Sequence, residues 1–169
     1  MEQLDRILHD ATAAIDQEYF LLPVHGADPV RRERVYCYEL YHQMRLRWPA
    51  TAYRLNGEID KGGHPYFRGE RGKPKPDLLV HVPGGGDNAG VIEVKSSRAS
   101  AKEIRKDIKT LCRFGTHGYR RSIYLVYGSE AVLARIQRHA TDISMPIEVW
   151  FHRAAGVPAE PAFLLRPAA

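Results

Sequence analysis

The run Ser122–Tyr127 (SIYLVY) constrains the fold of this chain more than any other segment. It is apolar on both faces of a strand, which is typical of a central strand in a sheet covered on both sides. Two more short runs, Asp77–Val82 (DLLVHV) and Gly90–Ser96 (GVIEVKS), are predicted strands. The composition of Pro83–Ala89 (PGGGDNA) predicts a turn between them. We therefore expect a central sheet that contains all three strands.

Two amphipathic helices are predicted before these strands. Residues 3–19 form the first, and residues 30–48 form the second after the helix-start signal Asp28-Pro29. The second helix carries apolar side chains on two sides, and Glu39 lies among those of the lesser side. A helix of this kind is expected to be buried on two sides, which places Glu39 near the interior, where a carboxylate needs a partner.

The remaining elements complete a mixed α/β fold. A strand is predicted at Ala52–Asp60, and a helix begins at the capping box of Ser100 and Glu103. A C-terminal helix and closing strands occupy residues 129–166. The order α, α, β, β, β, α, β, α, β, β is typical of a mixed α/β domain with some antiparallel pairing. The length predicts a single domain over residues 1–169.

Composition excludes several classes of protein. No stretch approaches the roughly 20 apolar residues that cross a bilayer, and the N-terminus has no apolar core of a signal peptide. Two cysteines, Cys37 and Cys112, are too few for a disulfide framework or a cysteine-based zinc site. We expect a cytoplasmic protein without a membrane partner. The net charge of +5 is a modest excess that favours polyanionic partners.

The chemistry-bearing residues lie on the two paired strands. Glu93 and Lys95 alternate along one strand and therefore project from the same face, where a buried strand would carry apolar residues. Asp77 opens the preceding strand, so a hairpin would bring its carboxylate beside Glu93. Two carboxylates can bind a divalent cation, because Mg²⁺ prefers oxygen ligands. The bound cation and the ammonium group can then bind a substrate phosphate. Lys95 would orient the attacking water or add positive charge.

This pattern resembles the signature of the PD-(D/E)XK nuclease superfamily, through Pro76, Asp77, Glu93 and Lys95. The resemblance covers about residues 30–127. It implies a restriction-endonuclease-like core, αβββαβ, with a mixed central sheet and flanking helices. It also implies hydrolysis of phosphodiester bonds with Mg²⁺ or Mn²⁺, in DNA and less often in RNA. Many members place a metal-facing glutamate on the first core helix, and for that reason Glu39 is expected to be an auxiliary ligand or base.

Other interpretations stay open at this point. Asp77 could simply begin a strand after a turn, and Glu93 with Lys95 could form the exposed face of an edge strand. The protein could be a catalytically silent nucleic-acid-binding module, an RNA nuclease, or a structural subunit that contacts a protein partner through Trp150 and Phe151. Paired cuts in a duplex need two active sites, so a homodimer also stays open.

Basic residues concentrate in two segments. The first precedes Asp77 and interleaves cations with aromatic residues, a mixture that can contact phosphates and stack bases. The second is the outer side of the helix after Glu93 and Lys95. A solvated surface is the alternative for both. The predicted nucleic-acid-binding residues are Lys61, Arg68, Arg71, Lys73, Lys75, Lys102, Arg105, Lys106 and Lys109.

Overall fold

A six-stranded mixed sheet lies at the centre of the structure, a computed structural model that describes residues 2–59 and 75–167. In chain order, the elements are α1 (Glu2–Ala13), α2 (Gln17–Phe20), β1 (Leu22–Val24), β2 (Ala27–Val30), α3 (Glu33–Leu46), β3 (Arg54–Gly57), β4 (Leu78–His81), β5 (Asn88–Ser96), α4 (Ala101–Thr116), β6 (Tyr119–Tyr127), α5 (Ala131–His139), β7 (Ile147–His152) and β8 (Glu160–Leu165).

The sheet has the spatial order β3-β4-β5-β6-β7-β8. Strand β6 pairs in parallel with both β5 and β7, and the outer pairs are antiparallel. All but one residue of β6 are buried, as its apolar composition predicts. Helices α1 and α3 pack on one face of the sheet, and α4 and α5 pack on the other. The predicted mixed α/β fold with flanking helices is therefore confirmed.

The segment before α3 differs from the prediction. Residues 22–30 form a two-stranded hairpin rather than a helix start, and Pro29 lies in its second strand. A two-stranded ribbon tolerates proline because an edge strand does not need every N–H group. Gly26 makes the turn with a φ of +73°. The first helix also ends early, at Ala13.

Helix α3 is buried on one side, not on two. Its buried residues Tyr36, Leu40 and Met44 face the core, whereas Leu46 is 67% exposed and His42 is also exposed. The predicted second buried side is therefore wrong, because Glu39 and Val35 are only partly buried and no buried residue of the helix lies on that side.

The C-terminal half matches the prediction more closely. The capping box of Ser100 and Glu103 is present at the start of α4. Trp150 and Phe151, the predicted partner contact, are buried in the sheet and cannot form an exposed interface. Within the described residues, no helix is long and apolar enough to span a bilayer.

Candidate active site

Asp77 and Glu93 lie side by side at one end of the β4–β5 hairpin. Leu78 pairs with Ile92 in antiparallel register, which places the preceding Asp77 opposite Glu93. The backbone N–H of Val94 donates a hydrogen bond of 2.7 Å to Oδ2 of Asp77. The two carboxyl groups lie close enough for each to shift the pKa of the other. The structure thus confirms the predicted proximity of the two acids.

Burial makes this pair electrostatically costly. Glu93 is 6% exposed, and burial followed by the charge of Asp77 raises the pKa of Glu93 well above its usual value. Burial also raises the pKa of Asp77, although the Val94 N–H group and the Lys95 ammonium oppose that rise. Contact with Glu93 acts to lower the pKa of Asp77, whereas contact with Asp77 raises the pKa of Glu93, so an ionised Asp77 beside a protonated Glu93 is favoured. The fold therefore holds two carboxyl groups together that repel each other when both are ionised.

Lys95 lies on the same strand face and is held by two further acids. Its Nζ donates a hydrogen bond of 2.9 Å to Oε2 of Glu33 and lies 3.8 Å from Oδ2 of Asp107. Burial alone would lower the pKa of Lys95, but the charges of Asp107 and Glu33 outweigh burial and raise it. Lys95 therefore remains protonated at neutral pH.

Asp107 is a member of this group that the sequence analysis did not identify. It lies on α4, is 3% exposed, and accepts a hydrogen bond of 3.3 Å from the Tyr124 hydroxyl. Burial raises the pKa of Asp107 to about 6. One sequence signal could have revealed it, because Asp107 occupies a position on the apolar stripe that contains Ile104 and Ile108.

The helix glutamate beside Lys95 is Glu33, and not the predicted Glu39. Glu33 begins α3, and its Oε1 also accepts from the backbone N–H of Ser96 at 3.3 Å. Glu39 is six residues further along, about 240° around the helix at 3.6 residues per turn. There it accepts a hydrogen bond of 2.6 Å from Gln43. The structure consequently does not bring Glu39 to Asp77 and Glu93.

A cleft of about 470 Å³ opens beside Asp77. Its wall on α3 includes Cys37 and Tyr41, which follow Glu33 at intervals of one helical turn. Burial, and then the nearby Asp77 and Glu33 charges, raise the pKa of the Cys37 thiol, so it stays protonated. Glu58 lines the opposite wall and pairs with Lys75 at 2.6 Å.

The predicted basic residues fall into three groups. Those of α4 are all exposed on its outer side, and we call Lys102, Arg105, Lys106 and Lys109 the basic face of α4. Lys75 is exposed and paired with Glu58. The third group lies outside the described residues and consists of Lys61, Arg68, Arg71 and Lys73.

Among the described residues, the carboxyl groups of Asp77 and Glu93 could bind a cation together, but they do not surround it. Within residues 2–59 and 75–167, no group of three or more His, Cys, Asp or Glu side chains is arranged to hold a metal ion. Mg²⁺ does not require such a group, because it is commonly bound by one or two carboxylates together with waters and substrate phosphates. Asp77 and Glu93 fit that pattern in ligand type and number.

Comparison of the chain with protein-family models, curated proteins and solved structures finds no match in any of the three.

Proposed function

We propose that this protein is a metal-dependent nuclease of the PD-(D/E)XK type, with a restriction-endonuclease-like core, that hydrolyses phosphodiester bonds, most often in DNA. The observation that carries the proposal is the pair formed by the buried Glu93 and the partly buried Asp77, beside a Lys95 that is held by Glu33. Burying two carboxyl groups together costs stability unless an additional positive charge enters the site. If these positions had only a structural role, apolar residues there would give a more stable fold.

A divalent cation is the positive charge that these ligands fit. Asp77 and Glu93 provide hard oxygen donors, and burial raises the pKa of both carboxyl groups. Mg²⁺ or Mn²⁺ prefers such donors. When bound, the cation would acidify a water and stabilise negative charge on the phosphoryl oxygens.

The protein's own residues would orient the reactants. Lys95 remains protonated, so it serves as a fixed positive charge and hydrogen-bond donor toward the phosphate or the attacking water, and not as a general base. Glu33 and Asp107 hold its ammonium group from two different helices. Such fixation limits the reorganisation that the reaction would otherwise require.

The surroundings of the site favour a large polyanionic substrate. The cleft beside Asp77 is open to solvent along α3, where Tyr38 is 60% exposed. The basic face of α4 provides a row of cations on the helix that carries Asp107. Cations of this kind bind the phosphate backbone without regard to sequence.

The test is cleavage of supercoiled plasmid and of structured RNA, with Mg²⁺ or Mn²⁺ and with a chelator. We expect metal-dependent nicking of DNA that is nearly abolished in Asp77→Asn and Glu93→Gln. Glu39→Gln is the matched control, because its side chain lies on another side of α3. Cleavage confined to RNA would make the protein an RNA nuclease, and binding without cleavage would make it a silent binding module.

Thermal unfolding provides a second measurement that does not depend on turnover. Mg²⁺ should raise the melting temperature of the wild type at pH 8, since a ligand that binds only the folded state stabilises it. Glu93→Gln should remove that increase while leaving the cation-free protein as stable as the wild type or more stable. An equal increase in Glu93→Gln would contradict the assignment of Glu93 as a ligand.

A further inference from the structure

Arg31 lies beside the candidate site and has no ionic partner within the described part of the chain. It precedes α3 by two residues and is partly buried, and its Nε atom is buried with no hydrogen-bond partner in the described part of the chain. Its guanidinium lies 5.9 Å from the ring centre of Phe20. No carboxylate among the described residues pairs with it, unlike Arg34 and Arg121, which form ion pairs. A buried N–H donor without a hydrogen-bond partner is costly, and in Arg31 that donor is Nε.

The side chain of Arg31 lies against the backbone of Gly128. Gly128 has a φ of +110°, and a Cβ atom there would lie 2.6 Å from Nε of Arg31 and 2.6 Å from Oγ of Ser97. Both distances are too short for real atoms, so a side chain at position 128 would displace Arg31 and Ser97, and the positive φ independently favours glycine. The Gly128 N–H donates to the His152 carbonyl at 3.0 Å, which fixes this turn. The absence of a side chain at Gly128 therefore leaves room for Arg31 to lie against this turn.

Arg31 and Gly128 lie next to the end of β5, the strand that carries Lys95. Ser97 follows Lys95 by two residues, and its N–H donates to the Tyr127 carbonyl at 2.8 Å. Tyr127 is fully buried, and its hydroxyl has no partner within the described ranges. The charges of both Glu33 and Arg31 act on that hydroxyl. Arg31 and the Lys95–Glu33 pair thus flank the same point at the ends of β5 and β6.

We propose that Arg31, seated over Gly128, binds a backbone phosphate of the nucleic acid, adjacent to the phosphate that is cleaved. The inference rests on the proposed nuclease function and adds a subsite to it. A guanidinium matches phosphate in charge and in the geometry of its paired donors. Lys95 is already engaged by two acids, so Arg31 supplies the positive charge that a second phosphate needs.

The first experiment measures the linkage that Arg31 contacts. Duplex DNA carries one neutral methylphosphonate, moved stepwise along each strand around the mapped cut, and binding is measured in Ca²⁺. We expect the wild type to lose about tenfold in affinity at one linkage next to the cut, the size of one charge-assisted contact. Arg31→Gln should bind unmodified DNA about tenfold more weakly and show no further loss at that linkage.

Arg32→Gln is the matched control, since Arg32 is the exposed neighbour of Arg31. It should retain the linkage-specific loss of the wild type. The same loss in Arg31→Gln would overturn the inference while leaving the nuclease function intact. Circular dichroism and thermal unfolding check that Arg31→Gln is folded, and Arg31→Lys, which keeps the charge, should bind unmodified DNA better than Arg31→Gln.

A second experiment measures phosphate binding by Arg31 independently of the nuclease function. Inorganic phosphate, compared with chloride at equal ionic strength, should raise the melting temperature of the wild type and of Arg32→Gln, but not of Arg31→Gln. Equal stabilisation of all three proteins would overturn the subsite. If the wild type binds phosphate through Arg31 but binds no nucleic acid, the proposed function fails and the assignment to a backbone phosphate fails with it.

Discussion

The backbone N–H of Val94 donates a hydrogen bond of 2.7 Å to the carboxylate of Asp77, across the β4–β5 hairpin. This bond fixes the direction of the Asp77 side chain before any ligand binds. It also gives Asp77 a structural contribution that is separable from its proposed role in catalysis.

The two contributions of Asp77 predict different effects for two substitutions. Asp77→Asn keeps an oxygen acceptor for Val94, whereas Asp77→Ala leaves a buried N–H unpaired, at a cost of about 1 to 3 kcal/mol. We expect both variants to lose cleavage, and Asp77→Ala to unfold at a lower denaturant concentration than Asp77→Asn. Chemical denaturation measured at pH 7 without metal checks this. Equal midpoints would show that the Val94 contact contributes little to stability.

Glu33 contacts Lys95 and Glu39 does not, so substitutions of these two glutamates of α3 should differ in their effect on the cleavage rate. Glu33→Gln weakens the hold on Lys95, and misplacement of a positioning group can lower a rate by about 100-fold. Glu39→Gln changes only a contact with Gln43 on an outer side of α3. We therefore expect reduced turnover for Glu33→Gln and wild-type turnover for Glu39→Gln. Single-turnover cleavage rates decide, and a loss confined to Glu39→Gln would restore the role predicted for Glu39.

Asp107 predicts a pH-dependent stability. Its pKa is about 6 in the folded protein and about 3.9 when unfolded, so between these values the folded state binds more protons. Stability then falls as pH rises through that window and is constant above it. Relative to Asp107→Asn, the wild type should lose about 2 kcal/mol between pH 4 and pH 6 from this group.

The measurement is the free energy of unfolding of both proteins across that pH range. His152 is buried with a pKa lowered to about 4, and it titrates in the opposite sense. Because His152 is present in both proteins, its contribution cancels in the comparison. Glu160→Gln, at an exposed acid, serves as the control and should follow the wild-type curve. Parallel curves for wild type and Asp107→Asn would contradict the raised pKa.

The basic face of α4 predicts a change in salt dependence. Removing one phosphate contact should flatten the slope of log K against log salt by about 0.9 on duplex DNA. Alanine at Lys102, Lys106 and Lys109 should therefore flatten it by up to about three such units, equally on unrelated sequences. The matched triple variant of Arg68, Arg71 and Lys73 tests the predicted basic segment before Asp77 in the same way. Salt titrations in Ca²⁺ measure both, and an unchanged slope would identify that surface as merely solvated.

The local part of the site could be predicted from the sequence. Strand alternation places Glu93 and Lys95 on one face, and a short turn joins their strand to the one that Asp77 precedes. These relationships lie within about 20 residues and follow from backbone geometry alone. The capping box at Ser100 and the central strand β6 are similarly local signals, and the structure contains both.

The contacts that hold Lys95 could not be predicted in this way. Glu33 lies 62 positions from Lys95, and Asp107 approaches from a different helix. Which glutamate of α3 meets the sheet depends on the rotation of that helix, and apolar residues on two of its sides left the rotation undecided. The turn at Gly26 and the β1–β2 hairpin also set where α3 begins.

The sequence by itself determined the strands β4, β5 and β6, the hairpin of β4 with β5 and the acid pair at its end, because these depend on neighbours along the chain. Only the tertiary structure decided that Glu33 replaces Glu39 and that Asp107 joins the group. The same holds for Arg31, whose place against Gly128 depends on the packing of α3 beside the ends of β5 and β6. Such contacts depend on the packing of whole helices against the sheet, and no short stretch of sequence specifies that packing.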